Sequence, residues 1–231
     1  MDGPVEAKPK FIRSRGLRIP NDPQFIRPKV RRALRENNYE AKECDAILRA
    51  VNDGDTVMDL GAGIGYVSTL VARKRKLRAI HSFEANPLLI DFIRRVHAVN
   101  EIENATVHNT VLAPRKGKPV EFYVRSNFLA SSLNKDSAPD IISTHQIETA
   151  GINTVMKEIK PDVLICDIEG AEADLFPAIR YTRLRAAIVE LHPQWIGQKG
   201  VQAVFDAMHN VGLTYYPRWS NAKVVAFRKG W

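Results

Sequence analysis

Ten residues constrain this chain more than any others: Val57-Met58-Asp59-Leu60-Gly61-Ala62-Gly63-Ile64-Gly65-Tyr66. Thr56, Val57, Met58 and Leu60 read as a strand buried inside a parallel sheet, where both faces are covered. Gly61, Gly63 and Gly65 follow at alternate positions, and the absence of Cβ atoms permits a tight turn and close approach of a ligand to the backbone. A helical period then carries Tyr66, Leu70 and Val71 on one side through about Lys76. A helix that starts behind a glycine turn presents free N–H groups and the positive end of its dipole. The stretch therefore predicts a strand–turn–helix seat for a nucleotide-like ligand.

The glycine spacing narrows the ligand. A dinucleotide fingerprint needs G-x-G-x-x-G with a pyrophosphate on the helix end. Here the third glycine comes one residue early, and Tyr66 stands where the fingerprint glycine belongs. Asp59 sits two residues before Gly61, where it would repel a pyrophosphate and suit an ammonium group. This D-x-G-x-G-x-G turn resembles the first motif of the Rossmann-like methyltransferases, whose S-adenosylmethionine carries an amino-acid end and no phosphate.

The rest of the chain alternates buried strands with amphipathic helices. Strands are predicted at Arg78–Glu84, Ala105–Val111, Val163–Cys166 and Ala186–Leu191, and helices at 41–52, 87–99, from about Glu172 to Tyr181, and at 198–210. Two final strands, about 213–218 and 222–228, would close the sheet. This pattern implies a doubly wound α/β sheet of three α/β/α layers, mostly parallel with an antiparallel C-terminal strand and right-handed crossovers. Ligands of such sheets lie at the carboxyl ends of the strands, where the strand order reverses. Asp59, Glu84, Asn109, Asp167, Glu190 and His192 all fall at or near predicted strand ends.

Glu84 lies 19 residues beyond Gly65 and ends the next strand, the position from which an acid reaches ribose hydroxyls. Its competing role is as an N-terminal acid of the helix that Pro87 opens. Asn109 is placed to read an adenine edge or to form a turn. Asp167, Glu169 and Glu172 gather after one strand, and Glu190 and His192 after the next. Four carboxylates and an imidazole are thus expected to converge on one region; the alternative is helix capping with a solvated acidic rim, which has to justify the cost of mutual repulsion.

Asp-Leu-Gly-Ala-Gly-Ile-Gly-Tyr, Phe83-Glu84-Ala85-Asn86-Pro87, Asp167-Ile168-Glu169-Gly170-Ala171-Glu172 and Glu190-Leu191-His192, with Tyr39-Glu40 upstream, resemble the FkbM-type methyltransferases over residues 37–192. The resemblance implies a class I S-adenosylmethionine-dependent enzyme that releases S-adenosylhomocysteine, commonly an O-methyltransferase of sugar or polyketide hydroxyls. It thus points to a saccharide or other small or conjugated metabolite as acceptor.

In that reading Asp59, Gly61, Gly63, Gly65, Glu84, Asn109 and Asp167 hold the cofactor. Asp167 also borders the methyl group, His192 is the first candidate for general base, and Glu169 or Glu190 orients it or replaces it. In a second version Asp167, Glu190 and His192 bind a divalent metal that acidifies the acceptor hydroxyl. The loop 126–143, where Ser131-Ser132 are candidates to face the substrate, does not align with the family.

Charge raises a rival. The net charge is +8, and residues 1–36 hold ten Lys/Arg against four Asp/Glu, leaving the remaining chain close to neutral. Residues 1–36 are predicted as a basic, proline-rich arm, extended and partly disordered up to about residue 29, ahead of a methyltransferase domain at 37–231. Phe11, Ile12, Leu17, Ile19, Phe25 and Ile26 would pack part of it on the domain. Such an arm attracts nucleic acid, so RNA or DNA methylation is the alternative. A non-catalytic cofactor-binding protein is another. Two cysteines without metal spacing, no apolar leader and no membrane-length run predict a cytoplasmic protein.

Overall fold

In the computed structural model the described residues are 10–128, 131–137 and 139–230. Residues 1–9 of the predicted arm lie outside them. The arm from Phe11 onward is a hairpin and a helix. Strands β1 (Phe11–Ser14) and β2 (Leu17–Pro20) pair antiparallel. Arg15 and Gly16 between them both adopt positive φ, 47° and 88°, as a tight turn matched to strand twist requires. Period-two alternation buries Ile12, Ser14, Leu17 and Ile19. The expected extended segment is therefore paired from residue 11, because this turn lets the backbone satisfy itself. Asn100 clamps the hairpin, its Oδ1 accepting from Arg18 N at 2.8 Å and its Nδ2 donating to Arg18 O at 2.7 Å. Helix α1 (Pro28–Arg35) opens on Pro28 and buries Val30 and Leu34. With Phe25 and Ile26 these residues join the main core.

After α1 come α2 (Ala41–Ala50), β3 (Thr56–Leu60), α3 (Tyr66–Lys74), β4 (Ala79–Phe83), α4 (Pro87–Val99) and β5 (Ala105–His108). The predicted strand Ala105–Val111 divides at Asn109, and Val111–Ala113 becomes β6, paired with β9 (Thr149–Gly151). Strands β7 (Val120–Arg125) and β8 (Ile141–Ile147) form an antiparallel pair, so β8 takes up the end of the expected loop. Helix α5 (Ile152–Ile159), β10 (Val163–Cys166), the short α6 (Glu172–Leu175) and β11 (Ala186–Glu190) follow. Last are α7 (Pro193–Asn210), broken at Gly197, then β12 (Thr214–Tyr215) and β13 (Val224–Arg228). The helix predicted to run to Tyr181 is shorter, because Pro177 falls within a 3-10 turn at Phe176–Ala178.

The main sheet has seven strands in the order β12-β13-β11-β10-β3-β4-β5. The five from β11 to β5 are parallel, while β13 runs antiparallel to β11 and β12 antiparallel to β13. This is the Rossmann-like class I methyltransferase arrangement. From β3 the chain winds outward through β4 and β5, then returns to start β10 on the other side of β3. The order reverses between β3 and β10, and the carboxyl ends of these two strands open the crevice. Helices cover both faces over two apolar clusters, one including Ile47, Val57, Leu70 and Phe92, the other Met58, Leu164, Phe176 and Met208. Among the described residues no helix is long and apolar enough to cross a membrane.

Candidate functional site

The glycine turn and the end of β10 touch. Gly61 has φ 83°, and a Cβ there would lie 1.7 Å from the Asp167 carbonyl oxygen. Gly61 N and Ala62 N donate to Phe83 O, and Asp167 N donates to Leu60 O at 2.9 Å. Three strand ends are thereby stitched into one floor. Gly63 also has positive φ, 55°, and a Cβ added there would meet nothing within 4 Å. Its bare backbone faces a cavity also walled by Gly61, Glu84, Asn86, Asp167 and Glu169. Gly65 lies behind them against Ile93, where a Cβ would approach Ile93 Cγ2 to 2.8 Å. Tyr66, the residue in the fingerprint-glycine position, is fully buried, its hydroxyl 2.8 Å from Ser14 Oγ and its ring edge-on to Tyr39.

Glu84 closes one end of the cavity. Its Oε2 accepts from Gly63 N at 2.8 Å and its Oε1 from Asn86 N at 2.7 Å. Burial lifts its pKa to about 7 against those backbone donors. Asn86 caps α4, its Oδ1 accepting from Leu88 N at 3.1 Å. Its Nδ2 is buried and has no hydrogen-bond partner among the described residues. A buried donor left unpaired carries a desolvation cost, and Asn86 lies in the wall of the cavity.

Asn109 does not line the cavity. Its Nδ2 donates to Glu84 O at 2.9 Å and Ala85 O at 3.0 Å, bracing the backbone that carries Glu84. Asp59 is also set back, 2% exposed beneath the turn, with Ser82 Oγ 3.5 Å from its Oδ2. Burial and the neighbouring Glu84 hold its pKa at about 7.

The other end of the cavity is the carboxylate–imidazole group. His192 Nδ1 is 2.9 Å from Glu172 Oε1, which also accepts from His192 N at 3.0 Å. Glu172 Oε2 accepts from Gly170 N at 2.8 Å, and the Glu172 side chain is fully buried. His192 Nε2 then faces Glu169 Oε2 at 3.3 Å, Asp167 Oδ1 at 3.5 Å and Glu190 Oε1 at 4.0 Å. Lys223 pairs with Glu190. The five residues expected to converge do so, beside the glycine turn. The imidazole is only 3% exposed, whereas Asp167 and Glu169 are 26% and 49% exposed and reach the cavity.

The charge balance is unusual. Burial, then Glu190 and Glu169, lift Asp167 to about 8. Burial raises Glu169, against the nearby His192. Burial pulls the His192 pKa down, but Glu172, Glu169 and Asp167 outweigh it and the net direction is upward. Two further acids, not among the site residues expected from the sequence, come from the start of α2, Glu40 as its N-cap and Glu43 in its first turn. Glu40 lines the cavity and is lifted to about 7 by burial, and Glu43 is raised well above the carboxylate range. Glu40 and Glu169 are non-glycine residues at positive φ, 47° and 52°. Such strain persists where surrounding contacts impose it, and it concentrates at working sites.

Two trios place one ligand atom from each residue within 4.8 Å of the others: Asp167, Glu169 and His192, and Glu43, Asp167 and Glu190. Their oxygen-rich donor sets suit a hard divalent cation, with manganese or zinc admitted by the imidazole.

A family model for the TRM5/TYW2 methyltransferase domain matches residues 35–114, well short of half of the chain. No curated protein matches the sequence. Among solved structures, the chain is similar to Trm5b from Pyrococcus abyssi, at TM-score 0.51 and 12% identity over 94% of this chain and 55% of that one. It spans little more than half of that protein's length. It is also similar to precorrin-6y C5,15-methyltransferase from Geobacter metallireducens, at TM-score 0.50 and 12% identity over 83% and 88%. Methyltransferase FkbM from Methylobacillus flagellatus matches at TM-score 0.49 and 15% identity over 77% and 44%, too distant to single out that family. With 402 solved chains matching, the likeness establishes the fold and selects no acceptor.

Proposed function

We propose that this chain is an S-adenosylmethionine-dependent methyltransferase acting on RNA. The observation that carries the methyltransferase reading is the continuous cavity from Gly63, Glu84 and Asn86 to Asp167 and Glu169, set where the strand order reverses. The residues fit that cofactor: bare glycine backbone for close approach, a carboxylate at the end of β4 for ribose hydroxyls, and the unpaired Asn86 Nδ2 for a further acceptor atom. The acid-rich surroundings favour a sulfonium over a phosphate-bearing nucleotide. Asp59 supports this indirectly, from beneath the turn.

When bound, the cofactor supplies a methyl group on an electron-poor sulfur. The chain's part is to hold the acceptor in line with it and to take the acceptor's proton. Asp167 and Glu169 are the groups that reach the cavity. His192, held by Glu172, stands behind them and stabilises the proton they receive. His192 thus acts through the carboxylates, and Glu190 with Lys223 sets the charge around it. A divalent cation between the same carboxylates is the alternative way to acidify the acceptor, and activity after exhaustive chelation separates the two.

The RNA reading draws on the partial match to the TRM5/TYW2 domain and on the basic N-terminal residues. A hydroxyl acceptor on a saccharide is the second reading, favoured by a carboxylate–imidazole group that would activate an alcohol. The deciding experiment offers labelled cofactor to the purified protein with RNA in one reaction and a glycan pool in another, after calorimetry with S-adenosylhomocysteine. Label in RNA supports the proposal, and label in glycan alone replaces it. No binding of the product by the folded protein sinks both.

A further inference from the structure

A second groove continues the cavity outward, sharing Ser131, Leu133, Ile168, Glu169 and Ala171 with it. Its outer wall is Trp195, 55% exposed, facing the segment that carries Leu133, itself 39% exposed. The position is built. Trp195 N and Ile196 N both donate to His192 O, at 2.8 and 3.0 Å, forming one turn that Gly197 ends with φ 62°. Trp195 packs on Gly170, where a Cβ would lie 3.0 Å from Trp195 Cβ. The opposite wall is fixed by Arg125, 1% exposed, whose guanidinium donates to Asn134 O and Lys135 O at 2.8 Å. An indole is thus held three residues from His192 with much of its surface in water.

Among the described residues, neither the groove nor the inner cavity has a lysine or arginine in its walls, whereas Glu40, Glu84, Asp167, Glu169 and Asp174 are present. A phosphate is repelled there. A flat, uncharged ring bearing N–H groups is not, because carboxylates only accept hydrogen bonds. The positive charge sits elsewhere: Arg27, Lys29, Arg32 and Arg35 are exposed on and beside α1. The adjacent Phe25 packs edge-on to Phe128, a cavity-wall residue, at 6.2 Å between centroids. The basic helix is thereby anchored beside one wall of the acidic hollow.

We infer that the groove between Trp195 and Leu133 is a nucleobase seat, in which one unpaired base stacks on the indole and offers amino or ring N–H groups to Glu169 and Asp174, while its phosphates stay outside toward α1. This rests on the RNA reading above. It follows the general way single-stranded RNA is read, by stacking on aromatic side chains and hydrogen bonding at the base edge.

The test uses the full-length protein, its Trp195→Phe and Trp195→Leu variants, and a short single-stranded RNA. S-adenosylhomocysteine calorimetry on all three establishes that fold and cofactor site survive. Stacking on an aromatic side chain implies a loss of about 5- to 100-fold in RNA affinity for Trp195→Leu. The loss should appear in KM more than in kcat, with most of the affinity kept in Trp195→Phe. RNA should quench the part of the fluorescence that Trp195→Phe lacks. If the native protein methylates RNA and Trp195→Leu does so with unchanged KM, the seat is refuted while the RNA reading stands. If the native protein binds the product but neither binds nor methylates RNA, the RNA reading fails first. A disaccharide whose binding depends on Trp195 would then reassign the groove to a sugar ring.

Discussion

Glu172 Oε1 lies 2.9 Å from His192 Nδ1. Both Glu172 oxygens already accept from backbone amides, those of His192 and Gly170, so Nδ1–H donates to Glu172 and Nε2 is left to face Asp167, Glu169 and Glu190. A bare lone pair among three carboxylates is unfavourable. A proton held between them eases the conflict: the acids raise His192 against its burial, while burial, then Glu190 and Glu169, raise Asp167. The group holds protons as one unit rather than residue by residue.

Glu172→Gln keeps the shape and removes the charge. The His192 pKa should then fall and the limb of the rate profile that it governs should move to lower pH. We expect kcat to drop about tenfold or more with unchanged affinity for S-adenosylhomocysteine. An unaltered profile would take His192 out of the proton route.

Gly63→Ala places a methyl group where the chain itself offers no contact within 4 Å. The fold should survive with a strain cost of about 1–3 kcal/mol for the positive φ. The methyl would project toward the cavity, so product affinity should fall at least tenfold, on the order of 1.4 kcal/mol. Gly61→Ala, meeting the Asp167 carbonyl, should instead fail to fold. Calorimetry and thermal melting separate the two.

Asn86→Ser retains a capping oxygen for α4 and discards the unpaired amide donor. Caps of these two types are nearly equivalent, so melting should move little. Loss of one buried hydrogen bond to the ligand should weaken product binding roughly 5- to 10-fold. Equal affinity would return Asn86 to a purely structural role.

The acid cluster makes the free protein sensitive to alkali. Asp59, Glu84 and Glu40 have folded pKa values of about 7 and Asp167 of about 8, above their unfolded values of 3.8 to 4.5. Acids with raised pKa bind protons better when folded, so stability falls as pH rises through that interval. His192, also raised, works the same way and its contribution is lost as pH rises through its folded value. His97 opposes them: burial lowers it to about 4, so its stability is lost below 6.5. Between pH 6.5 and 8 the cluster therefore dominates, with a slope of up to about 1.4 kcal/mol per pH unit for each full proton. Melting temperature should fall by several degrees over that range, and Asp167→Asn should flatten the fall. A flat native curve would mean the acids are not shifted together.

The strand–turn–helix at Val57–Tyr66 and the acids after Cys166 and Val189 were legible because strand ends in a doubly wound sheet converge whatever the intervening loops do. Asn86 does not stand out in the sequence, because its signal, an acceptor before Pro87, is that of an ordinary helix cap. Glu40, visible only within the upstream Tyr39-Glu40 pair, and Glu43 carry no site signal in the sequence, because α2 precedes the main sheet and only packing brings its start to the cavity. Asn109 and Asp59 had the right strand positions, yet side-chain direction set one to brace the Glu84 backbone and left the other beneath the turn. The hairpin was hidden because Arg15-Gly16 is a weaker turn signal than the prolines around it. Trp195 carried no period or motif, and its exposure is a property of the folded surface alone.

The basic helix gives the remaining test. Arg32 and Arg35 are exposed in the last turn of α1, where cations also suit the helix dipole, so replacing them leaves the core contacts of Val30 and Leu34 in place. If phosphates run along this helix, Arg32→Glu with Arg35→Glu should weaken RNA binding with little change in product affinity. Single-stranded binding loses about 0.7 in log–log salt slope for each phosphate contact removed, so the double variant should flatten the slope by roughly 1.4. Trp195→Leu should weaken binding without altering the slope, because a stacked base releases no counterions. Were both variants to lower the slope alike, the separation of an acidic base seat from a basic phosphate track would be wrong.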